Sequence, residues 1–162
     1  MTLRISFQGE PGAYSHEACL QARPDAQVVP CRTFEEAVDA VKNGAADLAM
    51  LPVENSTYGR VADIHSLLPR SGLRILEENF VRVRISLMAK PGARLEDIRH
   101  VRAHMVLIPQ AAAFLKARGI TSAAAVDSAG AAAELAQSDK MDEGVLASSV
   151  AAGIYGLEVL TE

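Results

Sequence analysis

Short apolar runs of strand character alternate with helical runs along nearly all 162 residues, and this alternation limits the fold more than any other feature. "LRISF" reads as a strand and "SHEACLQAR" as a helix with Ser15 at its N-cap. "AQVVPC" is a second strand, and "TFEEAVDAVKNG" is the clearest helix. Its Phe34, Ala37, Val38 and Val41 share one face, Thr33 and Glu36 form a capping box, and Gly44 stands as its C-terminal glycine. "ADLAML" is a third strand, and "RVADIHSLLPRSG" is a helix with Val61, Ile64 and Leu68 on one side. Leu73 to Lys90 is rich in β-branched residues and alternates in places, which predicts one or two extended strands. After "HVRAH" the alternation resumes: helix through "AAAFLKARG", strand "TSAAAVD", helix "SAGAAAELAQ", strand "GVLAS", helix "VAAGIYG" and a terminal "LEVLTE".

Strands separated by helices form mainly parallel sheets flanked by helices, an α/β fold. The extended stretch divides the alternation into two lobes, about residues 1–75 and 76–162. In such sheets a ligand sits beyond the carboxyl ends of the strands, near helix N-termini. "GEPGAYSH", "PVENST" and "VDSAG" are polar segments at such positions. Two lobes with a cleft between them are therefore expected.

Composition narrows the partners. A chain that is 49% hydrophobic and 22% charged is ordinary for a globular domain. A net charge of −4, no basic block, no Trp and 4% aromatics argue against a nucleic-acid partner. No apolar stretch reaches membrane-spanning length and none reads as a signal segment, so a cytoplasmic protein without a membrane partner is expected. Cys19 and Cys31 lie twelve residues apart without a Cys-x-x-Cys pattern and read as reduced thiols.

The polar residues admit both bland and functional readings. Gly9, Gly12 and Ser15 suit a plain turn and cap, or a backbone cradle for an anion. Tyr14 and Tyr155 suit core packing with a hydroxyl at the rim. The four histidines lack metal-ligand spacing, His65 reads as a surface or edge residue, and His104 is the one best placed to face a cleft. Gln110, just after Pro109, reads equally as a cap or as a reach into a cleft. "PVENSTYGR" sets Glu54, Asn55, Ser56 and Thr57 in a row after a buried strand, which suits either a solvated turn or the lip of a binding site.

"ISFQGEPGAYSHEA", "DLAMLPVENSTYGRV", "VRAHMVLIPQAAAFL", "DSAGAAAELA" and "ASSVAAGIYGLEVL" occur in the order and spacing of the prephenate dehydratase catalytic domain. The chain resembles that family over nearly its whole length. The resemblance implies a two-lobed, periplasmic-binding-protein-like fold with the active site in the inter-lobe cleft, and conversion of prephenate to phenylpyruvate, toward phenylalanine, without a cofactor or metal. It implies catalytic roles for Asn55, Gln110 and Glu54, and a substrate surface that includes Ser15, Ser56, Tyr14, His104 and Ser128.

The chain also departs from the family pattern. Where the family reads Ser-His-Pro-Gln-Ala-Leu-x-Gln, "AHMVLIPQ" keeps His104 and Gln110 but carries Ala103, Met105 and Val106. Ala13 stands where a hydroxyl is common, and Asp127 stands where glutamate is frequent. The sequence stops at Glu162, before the family's Asn-x-Thr-Arg-Phe segment and its ACT domain. Two functions are therefore carried forward: an active dehydratase, or an impaired relative that binds an aromatic or dicarboxylic metabolite. Exposed strand edges in a shortened lobe predict a homo-oligomer.

Overall fold

A computed structural model describes residues 2–162; Met1, assigned to the first lobe above, lies outside them. The chain divides into two compact units: residues up to Glu10 with Tyr14–Val81, and Pro11–Ala13 with Arg82–Glu162.

The first unit runs β1 (Arg4–Gln8), α1 (Tyr14–Ala22), β2 (Gln27–Cys31), α2 (Phe34–Lys42), β3 (Leu48–Met50), β4 (Glu54–Asn55), β5 (Gly59–Arg60) and α3 (Ala62–Ser71). Its main sheet has the order β2-β1-β3 and is wholly parallel, as expected for strands joined through helices. Ile5, Phe7, Cys19, Ala37, Val38 and Ile64 form its buried interior. Ser6 is also buried, and its hydroxyl faces the carbonyls of Ala37 at 2.7 Å and Leu48 at 3.2 Å, tying β1 to α2 and β3. At the start of α2, Thr33 Oγ1 accepts the Glu36 N–H at 3.1 Å. The Glu36 carboxylate reaches back one residue further than the capping box predicts and accepts from Arg32 N–H at 2.8 Å.

Two local expectations change. α1 begins at Tyr14, so Ser15 lies inside the first turn and Ala13, which cannot cap, precedes the helix. In Leu73–Lys90 only the last part forms a strand. Val81, Val83 and Ile85 alternate with Arg82 and Arg84, but the stretch joins no strand ladder among the described residues, and Ile75, Leu76 and Phe80 are exposed. Alternation there marks a half-buried extended chain, not a paired strand.

The second unit runs β6 (Ser86–Ala89), a 3₁₀ turn at Leu95–Asp97, β7 (His100–His104), α4 (Ile108–Arg118), β8 (Thr121–Ala125), α5 (Ser128–Gln137), β9 (Glu143–Ala147), α6 (Ser149–Tyr155) and β10 (Glu158–Thr161). Its sheet, β10-β6-β9-β7-β8, is mixed: β7 runs parallel to β8 and β9, while β6 runs antiparallel to β9 and β10. Met88, Val145 and Ala147 meet Ala131, Ala132 and Leu135 of α5 and Ala151 and Ala152 of α6 in one apolar cluster. Alanine along α5 lets helix backbone approach the sheet closely. Burying Leu135 alone contributes about 1.5–3 kcal/mol. Pro11–Ala13 packs into this unit: the Tyr155 hydroxyl donates to Pro11 O at 2.6 Å. A Cβ on Gly12 would stand 2.8 Å from Ala151 Cα, and its φ of +95° also requires glycine.

Candidate active site

In the first unit, "PVENSTYGR" folds into a tight hairpin of β4 and β5, pairing Glu54 with Arg60 and Asn55 with Gly59. The Asn55 side chain closes the turn: Oδ1 accepts the N–H of Thr57 at 2.8 Å and of Tyr58 at 3.1 Å. This is the local bonding that makes Asn a turn residue. Because the oxygen is occupied, the group left for a ligand is the Nδ2 amide, a neutral donor. Glu54 and Ser56 are exposed on the hairpin, and Asn55 is half-buried. The base of the hairpin is pinned by Val61 N–H donating to Val53 O at 3.0 Å. His65 Nε2, whose residue is exposed as expected, meets the same carbonyl at 3.2 Å.

Tyr14 and Ser15 occupy the first turn of α1, both half-buried. Burial, with a smaller contribution from Glu17, raises the Tyr14 phenol well above its ordinary range, so it stays protonated as a donor near neutrality. One turn position on, His16 is buried and stacked on Phe7, ring centroids 5.4 Å apart and planes within 9°. Burial lowers its pKa. From sequence, His16 stands only as one of four histidines without metal-ligand spacing. Its spacing from Cys19 along the buried face of α1 was the available signal.

In the second unit, His104, Ser128 and Gln110 come from three elements and meet around one turn. His104 ends β7, and its N–H donates to Ser128 Oγ, the first residue of α5, at 2.9 Å. Asp127 caps α5, accepting Gly130 N–H at 2.5 Å. Val106 then serves both remaining residues through its peptide groups. Its N–H donates to His104 Nδ1 at 3.3 Å, and its carbonyl accepts Gln110 Nε2 at 3.0 Å. With Nδ1 accepting, the tautomer that fits this bond carries its hydrogen on Nε2. Gln110, which the sequence left open between cap and reach, caps the turn with its amide nitrogen and keeps Oε1 for another partner. Ser128 accepts through oxygen and retains its own O–H as a donor.

This arrangement explains why the departures around His104 leave the node intact. Ala103 is fully buried in β7, and Met105 is exposed. Val106 contributes backbone only, which any residue but proline supplies. Gln110 also borders a cavity of about 170 Å³ lined by Ile85, Leu87, Ala111, Phe114, Leu146, Thr161 and Glu162. The wall is chiefly apolar and carries a carboxamide at its rim. Among the described residues, no three His, Cys, Asp or Glu side chains gather to hold a metal ion. No helix among them is long and apolar enough to cross a membrane.

Known proteins share this chain's sequence and architecture. It is 44% identical over 96% of its length to a bifunctional N-acyl-homoserine lactone acylase/prephenate dehydratase from Komagataeibacter europaeus, covering 56% of that protein. It is 43% identical over 99% of its length to arogenate dehydratase/prephenate dehydratase 1 of Arabidopsis thaliana, covering 41% of it. The crystal structure of the Arthrobacter aurescens prephenate dehydratase in complex with L-Phe superposes with a TM-score of 0.89 at 28% identity, over 98% of this chain and 55% of that one. The chain thus spans about half the length of the relatives it matches. The family model for prephenate dehydratase matches residues 5–162, and the chain belongs to that family.

Proposed function

We propose that the chain catalyses the decarboxylating dehydration of prephenate to phenylpyruvate, the step that commits the substrate to phenylalanine. Prephenate carries two carboxylates and a ring hydroxyl on a cyclohexadiene. The bond from the ring to its carboxylate breaks, its electron pair enters the ring, and carbon dioxide departs. The hydroxyl takes up a proton and leaves as water. Aromatisation supplies the driving force, so the protein's task is to hold a dianion and steady the moving charge.

The groups available suit that task. Asn55 Nδ2, the Tyr14 hydroxyl, Ser128 O–H and His104 Nε2–H are donors: Asn55 Oδ1 and His104 Nδ1 accept from backbone N–H groups, Ser128 Oγ accepts the His104 N–H, and Tyr14 is half-buried. Asn55, Gln110 and Glu54 are assigned to the reacting ring. Ser15, Ser56, Tyr14, His104 and Ser128 are assigned to holding the substrate. No cofactor enters this scheme. The observation that carries the reading is the double use of Val106: its N–H and its carbonyl, on adjacent peptide units, hold His104 and Gln110 together, although the residue between them in the family pattern has changed.

The test is direct. Purified protein is mixed with prephenate at neutral pH, and phenylpyruvate is followed by its absorbance in alkali. Turnover is expected, and Asn55→Ala or Gln110→Ala should lower kcat/KM by about 10²–10³-fold. Binding of prephenate without turnover would select the second reading, a metabolite-binding module. The Komagataeibacter relative's name carries a second activity, so an N-acyl-homoserine lactone forms a further arm of the assay. Lactone acyl cleavage with no phenylpyruvate would overturn the dehydratase assignment.

A further inference from the structure

Arg4, Arg23, Arg94 and Arg102 are each held in an ion pair with a carboxylate. Arg99 and Arg118 have no such partner among the described residues, yet both line one cavity in the second unit. It measures about 410 Å³, and Leu95, Glu96 and Ile98 complete its wall. The backbone fixes where the two arginines stand. Arg99 N–H donates to Asp142 O at 2.8 Å, and Arg99 O accepts Thr121 N–H at 2.9 Å, so the residue is clamped between the starts of β9 and β8. Arg118 is the last residue of α4, and the helix is closed just beyond it by Ile120 N–H donating to Leu115 O at 3.0 Å. The side chains are held as well. Arg99 Nη1 donates to Glu96 O at 2.6 Å and to Ile98 O at 3.2 Å. Nε and Nη2, one complete edge of the guanidinium, are left without a partner among the described residues. That edge is the one a carboxylate or phosphate takes through two parallel bonds. The Arg118 guanidinium lies over the Phe114 ring, Cζ 4.1 Å from its centroid, so stacking fixes its plane and leaves its N–H groups open.

We propose that this cavity is an oxyanion site, where Arg99 and Arg118 take the carboxylate or phosphate of a small organic molecule and Leu95 and Ile98 meet its apolar part. Both guanidiniums are already immobilised, so a ligand does not have to order them. Glu96, the one carboxylate in the wall, is paired with Arg94, which offsets its charge. Asp97 and Asp142, its neighbours along the backbone, are not among the lining residues. The chain as a whole carries a net charge of −4, so two unpaired cations at one cavity do not reflect general basicity. The site is separate from the His104 node. Arg99 stands just before β7 and His104 ends it, about 16 Å further along the strand. The cavity therefore lies at the amino ends of the parallel strands, opposite the end where the node gathers, and its ligand is a second molecule rather than the substrate of the proposed reaction.

The test is a titration of the nitrogen-15-labelled chain at fixed ionic strength, with inorganic phosphate in one arm and benzoate in the other. Saturable shifts are expected at the Leu95–Arg99 amides and at Arg99 Nε in at least one arm, with the His104 amide unmoved. Saturation by phosphate alone assigns a phosphate ligand, and saturation by benzoate alone assigns a carboxylate on an apolar body. Arg99→Gln and Arg118→Gln should each weaken binding by about ten-fold or more. Arg118→Gln leaves the Arg99 bonds to Glu96 O and Ile98 O in place, so it tests the site without touching that turn. Arg99→Lys keeps the charge but loses the two-bond edge, and should weaken binding as well. Arg74→Gln, an exposed change in the first unit, should have no effect. Shifts that rise without saturating in both arms overturn the proposal. So does saturable binding that survives both glutamine substitutions, or that Arg74→Gln weakens as much as they do.

Discussion

The Asn55 hairpin and the His104 node hold polar side chains by different means. Asn55 is bonded to Thr57 and Tyr58, its own near neighbours, on a hairpin of two-residue strands whose tip is exposed. His104 and Ser128 are 24 residues apart and are joined because α5 packs against β7. One arrangement rests on turn chemistry, the other on a fold. Damage to the apolar interior of the second unit should therefore disturb the node and leave the hairpin's own bonds untouched.

The largest expected effect follows from that dependence. Leu135 is buried in the α5–sheet cluster, and Leu135→Ala should destabilise by about 2–5 kcal/mol. Thermal unfolding followed by circular dichroism measures the loss. A shift no larger than that of an exposed substitution would show that α5 is not anchored as described. Ser128→Ala should cost less, about 1–3 kcal/mol, because it leaves the part-buried His104 N–H without its acceptor. Amide exchange at His104 should quicken in this variant, and no quickening would break the link between strand end and helix start.

What could be read from the sequence divides along the same line. The parallel sheet of the first unit, α2 with its Thr33 cap, and the strand–helix order of the second unit were legible because each depends on local periodicity and capping. Local pattern did not determine whether an extended run finds a partner. Val81 to Ile85 has strand alternation and no ladder among the described residues, while "TSAAA", read as a strand alongside it, pairs fully with β7. Within the candidate site, the residue types could be read but their tethers could not. Nothing in "AHMVLIPQ" announces that Val106 acts through its backbone, and Ser15 missed the N-cap because α1 starts one residue earlier than the hydroxyl suggested.

Asn55→Ala sharpens the comparison from the other side. It removes two bonds in an exposed turn, so it should lower stability by only about 0.5–1.5 kcal/mol, less than Leu135→Ala. Its effect on turnover should far exceed its effect on melting. Asn55→Asp is the informative partner, because it keeps the oxygen that closes the turn and replaces the amide donor with charge. Stability should be retained and activity lost. An active Asn55→Asp protein would mean that the side chain serves the turn alone.

The smallest effect concerns a group outside both arrangements. His16 is buried against Phe7, and burial depresses its pKa below the ordinary 6.5. Between the depressed value and 6.5, the unfolded chain binds a proton that the folded chain does not, so stability rises with pH there. The contribution is complete above 6.5 and is lost as pH falls through the folded-state value. Asp47, held low by its hydrogen bonds from Arg4, acts in the same direction only in the more acidic carboxylate range. Melting temperatures of wild type and His16→Gln measured against pH should therefore converge as the medium is acidified just below 6.5, the variant being the flatter of the two. Parallel curves through that interval would mean that the imidazole is as free to protonate in the folded chain as in the unfolded one, and that the stacked pair is not sealed from solvent.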